Sequence, residues 1–322
     1  MKTLRAAVAF LLFALAGAIV ALFSVHTGPD VWPFSSGLWL SVLVLTVIAW
    51  QGLSTLAAFR SRNARHQRLA DLAVPAIFGL WLVFLWEVVT VGANVPQVLL
   101  PSPGLIVARL FTSADVLLAD FRQTFLQAVL AGYALGCLGG FLVAILADRV
   151  PFLKRGLLPL GNLASALPIV GVAPIMVMWF GFDWPSKAAV VVIMTFFPML
   201  VNTVAGLAAA SVQERELLDT YAASYWQSLV SLRLPAAMPF IFNALKINST
   251  LALIGAIVAE FFGTPIVGMG FRISTEVGRM NLDMVWAEIV LAAVAGSAFY
   301  GLVAMAERRL TFWHPSYRQR GV

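Results

Sequence analysis

Runs of mostly apolar residues about 20 long, the length a helix needs to cross the hydrocarbon core of a bilayer, recur along this chain. They lie at 6–25, 38–59, 72–91, 123–147, 157–180, 187–208, 242–262 and 286–306. Inside lipid every backbone N–H and C=O must find its partner within the protein, which leaves helices or a closed barrel. Barrel strands alternate apolar and polar residues, and these runs do not. The reading is therefore all-α, a polytopic membrane helix bundle of about eight transmembrane helices. Composition agrees, with 61% hydrophobic and 11% charged residues, against about half and about a quarter in an average soluble domain.

Lys2 and Arg5 ahead of the first run also fit a signal peptide. The length of the run and the lack of a clear A-x-A site favour a retained helix. Of the 21 Lys and Arg residues, only Arg109, Arg122, Lys187, Arg272 and Arg279 fall outside when the N-terminus is placed in the cytoplasm. Cytoplasmic loops carry the Lys/Arg excess, so an even number of spans with both termini cytoplasmic is expected. The net charge of +6 sits in short clusters between apolar runs, which sets orientation and offers no basic face to nucleic acid. His26, His66 and His314 are far apart and show no metal-ligand spacing. Cys137, the sole cysteine, has no intrachain partner.

Two connections are longer than a turn requires. The outer one, 92–122, opens with Val95-Pro96 and Leu100-Pro101-Ser102-Pro103, where proline bars helix continuation. Its residues 104–118 read as a short interfacial helix. The inner one, 209–241, begins with helix formers and with Glu214, Glu216 and Asp219, negative charge that complements a helix N-terminus. Ala222-Ala223-Ser224 then interrupts it. A second amphipathic piece follows, carrying Trp226, Leu229, Val230 and Leu232, which Pro235 is expected to stop. Pro239 lies near the start of the next span. A connection alone could be far shorter, so this folded loop needs a place for its apolar side. The end of its own bundle and a groove on a partner both fit.

This loop resembles the "EAA" cytoplasmic loop of bacterial ABC-importer permeases, through Glu216-Leu217-Leu218, Ala222-Ala223-Ser224 and Leu234-Pro235-Ala236-Ala237-Met238-Pro239. Ala222 stands where the motif usually has glycine. Alanine takes positive φ reluctantly, so a more helical turn is expected. The resemblance runs from about residue 80 to 313. It takes in Trp86-Glu87, Leu100-Pro101-Ser102-Pro103, Leu167-Pro168-Ile169 through Ala173-Pro174, and Trp179-Phe180-Gly181-Phe182. It continues through Phe197-Pro198, Asn202-Thr203, Gly206-Leu207, Ala259-Glu260 and Gly268-Met269-Gly270. In this order they resemble the permease branch that handles nitrate, sulfonate, taurine and thiamine-pyrimidine or riboflavin-type solutes.

The resemblance implies a six-helix type I ABC permease core behind two added N-terminal helices. The chain then divides into an N-terminal two-helix membrane extension (1–70), a first core helix with the external LPSP and interfacial segment (71–122), the ABC type-1 transmembrane permease domain (123–306) and a cytoplasmic tail (307–322). It implies an ATPase-coupling loop made of Glu216, Asp219, Ala222, Ala223, Ser224, Trp226 and Pro235. The implied partners are a cytoplasmic ABC ATPase dimer carrying ATP-Mg, an external substrate-binding protein, a second permease copy and membrane lipid. No cofactor is expected on this chain, and the location implied is the bacterial cytoplasmic (inner) membrane.

Ionisable groups inside a membrane are costly and functional by default. Glu87, Glu260 and Glu288 qualify, although each lies near an outer span end where interfacial water also accounts for it. Glu260 follows an unbroken apolar stretch and is the pathway or gate candidate. Pro168 and Pro174 break a span at membrane depth, which suits a cavity wall with Met178 and Trp179; a structural kink fits equally. Gly132, Gly136 and Gly140 form a doubled small-xxx-small pattern for close helix packing.

Three functional classes remain in view. An ABC-importer permease needs a separate ATPase, and the chain holds no G-x-x-x-x-G-K-[ST] phosphate loop. An ion-coupled secondary transporter calls for internal repeats or buried ionisable networks, and a membrane enzyme for a catalytic cluster such as H-E-x-x-H or G-x-S-x-G; none is evident. The permease is the reading adopted, and no enzymatic activity is expected. The aromatics Trp179, Phe180, Phe182 and Trp184 suit a flat ring by stacking or serve as interfacial anchors. A heterocyclic vitamin or its precursor, such as a thiamine pyrimidine or riboflavin, is preferred over sulfonate, taurine or nitrate.

Overall fold

The computed structural model describes residues 2–27, 36–61, 63–164, 168–263 and 266–313, in which all regular structure is helical. Leu167, His314 and the tail beyond residue 313 lie outside the described residues. Among the latter, seven continuous helical runs are long and apolar enough to cross a membrane. The chain divides into two compact units, Met1–Thr112 with Met280–Ala287, and Ser113–Arg279 with Glu288–Val322.

The first unit holds α1 (Lys2–Thr27), α2 (Ser36–Ala57), α3 (Ala64–Gly92) and α4 (Pro103–Thr112). Small residues let its long helices approach closely. Ala18, Ala21 and Val25 pack with Val42, Phe84 and Val88, and Ala7, Leu56 and Ala70 form a second cluster. The Trp86-Glu87 pair fastens the proline-rich segment. The Trp86 indole N–H donates to the Pro101 carbonyl at 3.1 Å, and the Gly104 N–H donates to the Glu87 carboxylate at 2.7 Å. Glu87 also meets the His26 ring at 3.3 Å. Two motifs distant in sequence are thus one hydrogen-bonded corner.

The second unit begins with one continuous helical run, made of α5 (Ala114–Phe121), a π-helical stretch (Arg122–Val129) and α6 (Leu130–Arg149). Next come α7 (Pro151–Ala164), α8 (Ile169–Phe180), α9 (Trp184–Leu207) and α10 (Val212–Thr220). A second continuous run joins α11 (Tyr225–Ser228), a π turn (Leu229–Arg233) and α12 (Leu234–Glu260). It is followed by α13 (Met269–Gly278) and α14 (Leu282–Leu310), of which residues 288 onward belong here. The glycine column of α6 lies on α9. A Cβ at Gly132 would stand 2.5 Å from Val191 Cβ, one at Gly136 2.9 Å from the Val192 carbonyl, and one at Gly140 3.0 Å from Met199 Cβ. α12 joins them through buried Asn248, whose amide donates to the Thr195 carbonyl on α9 at 2.7 Å and to Cys137 on α6 at 3.2 Å.

Three expectations are corrected. The run 157–180 is not one span, because α7 ends at Ala164 and α8 begins at Ile169. Pro168, with ψ 113°, caps α8 in an extended conformation, and a proline disfavours helix at the residue before it. The interfacial helix over 104–118 is split at Ser113, and its second half is the start of the long run through α6. Finally, Pro235 does not stop the second piece of the inner loop. Proline withholds an N–H and crowds the preceding turn, but the π turn before it already pairs Leu234 N–H with the Leu229 carbonyl. This widened ladder accommodates the ring, and the helix runs on to Glu260.

Substituting Gly136 by Val forces α6 away from α9. Overpacking of this kind costs about 1–3 kcal/mol, so the purified variant should unfold at a clearly lower temperature in detergent, whereas Val at Gly79, which has open space around it, should leave the melting temperature unchanged.

Candidate functional site

Polar side chains gather at the two ends of the second unit. Asp120 and Asp148 mark them on one helical run, and 28 residues of helix at 1.5 Å each separate them by roughly 40 Å.

At the Asp148 end lies the loop between α9 and α12. Ser211 caps α10 in a reciprocal capping box with Glu214, a mutual satisfaction of orphan N–H groups. Hydrogen bonds from Ser211 hold the Glu214 carboxyl below the usual carboxylate range. α10 ends in a Schellman pattern. Ala223 N–H reaches back to the Leu218 carbonyl at 3.0 Å and Ala222 N–H to the Asp219 carbonyl at 2.9 Å. Ala222 carries φ +51°, so the expected helical turn is overturned. The two bonds impose on alanine the left-handed conformation that glycine usually supplies at this position, at a cost of about 1–2 kcal/mol. Ser224 then caps α11 in a second capping box with Gln227.

The loop is fastened to the bundle by its cations. The Arg215 guanidinium donates to the carbonyls of Ala208 and Ala210 at the end of α9. Arg233 pairs with Asp148 at 2.6 Å, and the Tyr225 hydroxyl lies 3.1 Å from the other Asp148 oxygen. The Arg149 guanidinium stands over the rings of Tyr225 and Trp226. With the loop so held, Leu217, Tyr221, Trp226 and Val230 stay exposed. Glu216, Asp219, Ala222 and Ser224 are exposed with them, while Ala223 and Pro235 are half-buried.

At the Asp120 end, three side chains from two helical runs receive the first N–H groups of α13. Asp120 accepts from Gly268 N–H at 2.6 Å, the Thr124 hydroxyl from Met269 N–H at 2.8 Å, and Glu260 from Gly270 N–H at 2.7 Å. The Thr124 hydroxyl donates in turn to the other Glu260 oxygen at 2.8 Å. Arg272, one turn into α13, pairs with Asp120 at 2.8 Å. All three receiving residues are buried, and the N-terminal dipole of α13 favours the negative charge set against it. The approach is close enough to require glycine. Gly268 has φ +141°, and a Cβ at Gly270 would collide with the Ile257 carbonyl. Fully buried Glu288 has Asp120, Arg272 and Glu260 as charged neighbours. Buried Lys187 bends back to the carbonyls of Phe182 and Asp183. Asp183 caps α9, and hydrogen bonds from the Gln123 amide and Trp184 N–H hold its carboxyl low.

Glu260 is thus bound up with Asp120, Thr124 and α13. Met178 and Trp179 stand 83% and 71% exposed on α8, the helix that also carries Pro174. Asp120, Thr124, Arg272 and Asp148 were missed in the sequence reading. Asp120 and Thr124, four residues apart on one helix face, are the signal the sequence offers; Arg272 stands out there only as an outer charge. Among the described residues no group of three or more His, Cys, Asp or Glu could hold a metal ion.

A family model described as "Binding-protein-dependent transport system inner membrane component" matches residues 136–312. The chain is 32% identical to a formylaminopyrimidine transport permease protein of Halalkalibacterium halodurans, over 74% of this chain and 95% of the relative. It is 29% identical to a riboflavin transport system permease protein of Chloroflexus aurantiacus, over 80% and 96%. A putative aliphatic sulfonates transport permease protein of Bacillus subtilis is 28% identical, over 79% and 90%.

Thr124→Val removes one acceptor and one donor from the α13 cradle. Leaving buried partners unpaired costs about 1–3 kcal/mol, so hydrogen exchange at the Met269 amide should quicken, while Thr124→Ser keeps the hydroxyl and should exchange as the unaltered chain does.

Proposed function

The chain belongs to the binding-protein-dependent transport system inner membrane component family, and from that premise we propose that it forms the solute pathway of an ATP-driven importer, with the loop over residues 211–235 as the seat of a separate ATPase. One observation carries the assignment of the loop. A capped helix–turn–helix is tied by Arg215 and Arg233 to the end of the bundle and still presents Leu217, Tyr221, Trp226 and Val230 outward. Apolar side chains held outward on a fixed scaffold suit a partner's groove. Glu216, Asp219, Ala222, Ala223, Ser224 and Trp226 lie on or beside that face, and Pro235 begins the helix that leaves it.

In this reading ATP-Mg is bound and hydrolysed by the ATPase dimer, and this chain binds no cofactor. The loop end faces the cytoplasm together with both termini, the orientation that the Lys/Arg distribution favours, with α7 and α8 together making the eighth crossing beside the seven long runs. The Asp120 end then faces the external binding protein. There Glu260 acts as a pin that holds α13 on the bundle and is not itself a solute ligand. Pro168, Pro174, Met178 and Trp179 mark the pathway wall on α8, whose exposed face is available to a second permease copy; two-fold pairing is the commonest closed symmetry.

The solute class is a heterocyclic vitamin or its precursor. Support comes from the formylaminopyrimidine and riboflavin relatives together with exposed Trp179, Phe180 and Phe182, aromatic faces suited to a flat ring.

The test is to purify the tagged chain with the products of its neighbouring genes in mild detergent. An ATPase subunit should co-purify with the unaltered chain. With Ala223→Glu or Leu217→Glu its yield should fall about tenfold, as for loss of an interface hot spot, with the melting temperature of the chain preserved. An ATPase retained by both variants, or absent from the unaltered chain, contradicts the assignment.

A further inference from the structure

The two halves of the loop are attached in different ways. Arg215 ties α10 to backbone carbonyls at the end of α9. The second half is tied to a side chain on a different helix. Each oxygen of the Asp148 carboxylate is taken by a different loop residue, Oδ1 by Arg233 at 2.6 Å and Oδ2 by the Tyr225 hydroxyl at 3.1 Å. The Asp148 side chain is only 4% exposed and that of Arg233 15%. The same guanidinium also donates from Nε to the Leu207 carbonyl at 3.1 Å, so α6, α9 and the loop meet at one charged group. The neighbouring Arg149 stands over the Tyr225 and Trp226 rings at 5.6 and 5.7 Å.

We propose that Asp148 is the joint through which movement of loop residues 225–233 is imposed on α6. The inference rests on the reading in which an ATPase docks on that loop. Two bonds from one carboxylate to residues at either end of the α11–π segment fix its rotation as well as its position. An apolar contact alone would let it slip. Charge-assisted bonds are about twice as strong as neutral ones, and shielding from water strengthens them further. Beyond the joint, α6 is locked to α9 by the glycine column, so a displacement at Asp148 is carried along a stiff helix pair. Asp120, on the same helical run, stands at the far end in the cradle that holds α13. Asp148 is therefore a positioning residue, placed to connect ATPase movement with the opposite end of the pathway.

The experiment reconstitutes the complete complex, with its ATPase and binding protein, in liposomes. It measures ATPase retention, ATP hydrolysis and solute uptake for the unaltered chain, Asp148→Asn and Tyr225→Phe. In Asp148→Asn the ATPase should remain bound and hydrolysing, while solute taken up per ATP hydrolysed falls about tenfold, within the range of typical coupling between sites. Tyr225→Phe, which removes the hydroxyl's contacts with Asp148 and the Ile145 carbonyl and leaves the ion pair, should lower the same ratio by a smaller factor. A ratio unchanged in Asp148→Asn overturns the inference; if that variant fails to fold, an unchanged ratio in Tyr225→Phe does so. Failure of the unaltered chain to retain an ATPase is a separate result, which removes the docked-loop reading and the joint with it.

Discussion

The close approach of α6 to α9 is the contact on which the second unit depends. Lipid tails are as apolar as leucine, so burial alone does not drive helices together in a membrane; packing and interhelical hydrogen bonds do. Gly132, Gly136 and Gly140 remove the side chains that would hold the two backbones apart. Asn248 then closes the third side by reaching both helices from α12. With these three fixed, the polar groups at both ends fall into place. Asp120, Thr124 and Glu260 converge on α13 at one end, and Asp148, Leu207 and Arg233 converge on the loop at the other.

The two polar ends solve different problems. The cradle around α13 is buried, and each of its acceptors takes a backbone N–H, which satisfies the start of a helix that has no side-chain cap of its own. Buried polar groups that are fully paired fix one arrangement. The loop is instead half in water. Its helices are closed by capping boxes and by a left-handed alanine, and it meets the bundle through arginines and through buried Leu229, which packs with Cys137, Met199 and Leu207. Strain at Ala222 is sustained because the bonds on either side of it are already made, a local cost tolerated at sites with a task.

Seven of the eight membrane spans were legible in the sequence because their signal is length and apolarity; the eighth, 157–180, is just as apolar but is divided between α7 and α8 at Pro168. The loop was legible as two helical pieces about a small-residue turn for a similar reason: its acidic start and Ala222-Ala223-Ser224 act locally. What escaped the sequence was governed by backbone detail or distant partners. Pro235 reads as a stop unless the π turn at Leu229–Arg233 is known, and Ala222 reads as helical unless the Schellman bonds are known. The halves of the cradle are more than a hundred residues apart, Thr124 against Glu260, so Glu260 could be noticed as a buried carboxylate but its partners could not be named. Trp86-Glu87 and Leu100-Pro101-Ser102-Pro103 were each visible as motifs, yet only the fold shows that one fastens the other.

The central claim is that movement across the membrane through this chain is driven by ATP hydrolysed on a partner at the loop. The most direct measurement is uptake of a radiolabelled heterocyclic solute by proteoliposomes holding the chain, its ATPase and its binding protein. Uptake should require ATP-Mg on the loop side and persist when proton and sodium gradients are collapsed. Uptake that continues without ATP and vanishes with an ion gradient would contradict the account and make the chain an ion-coupled transporter.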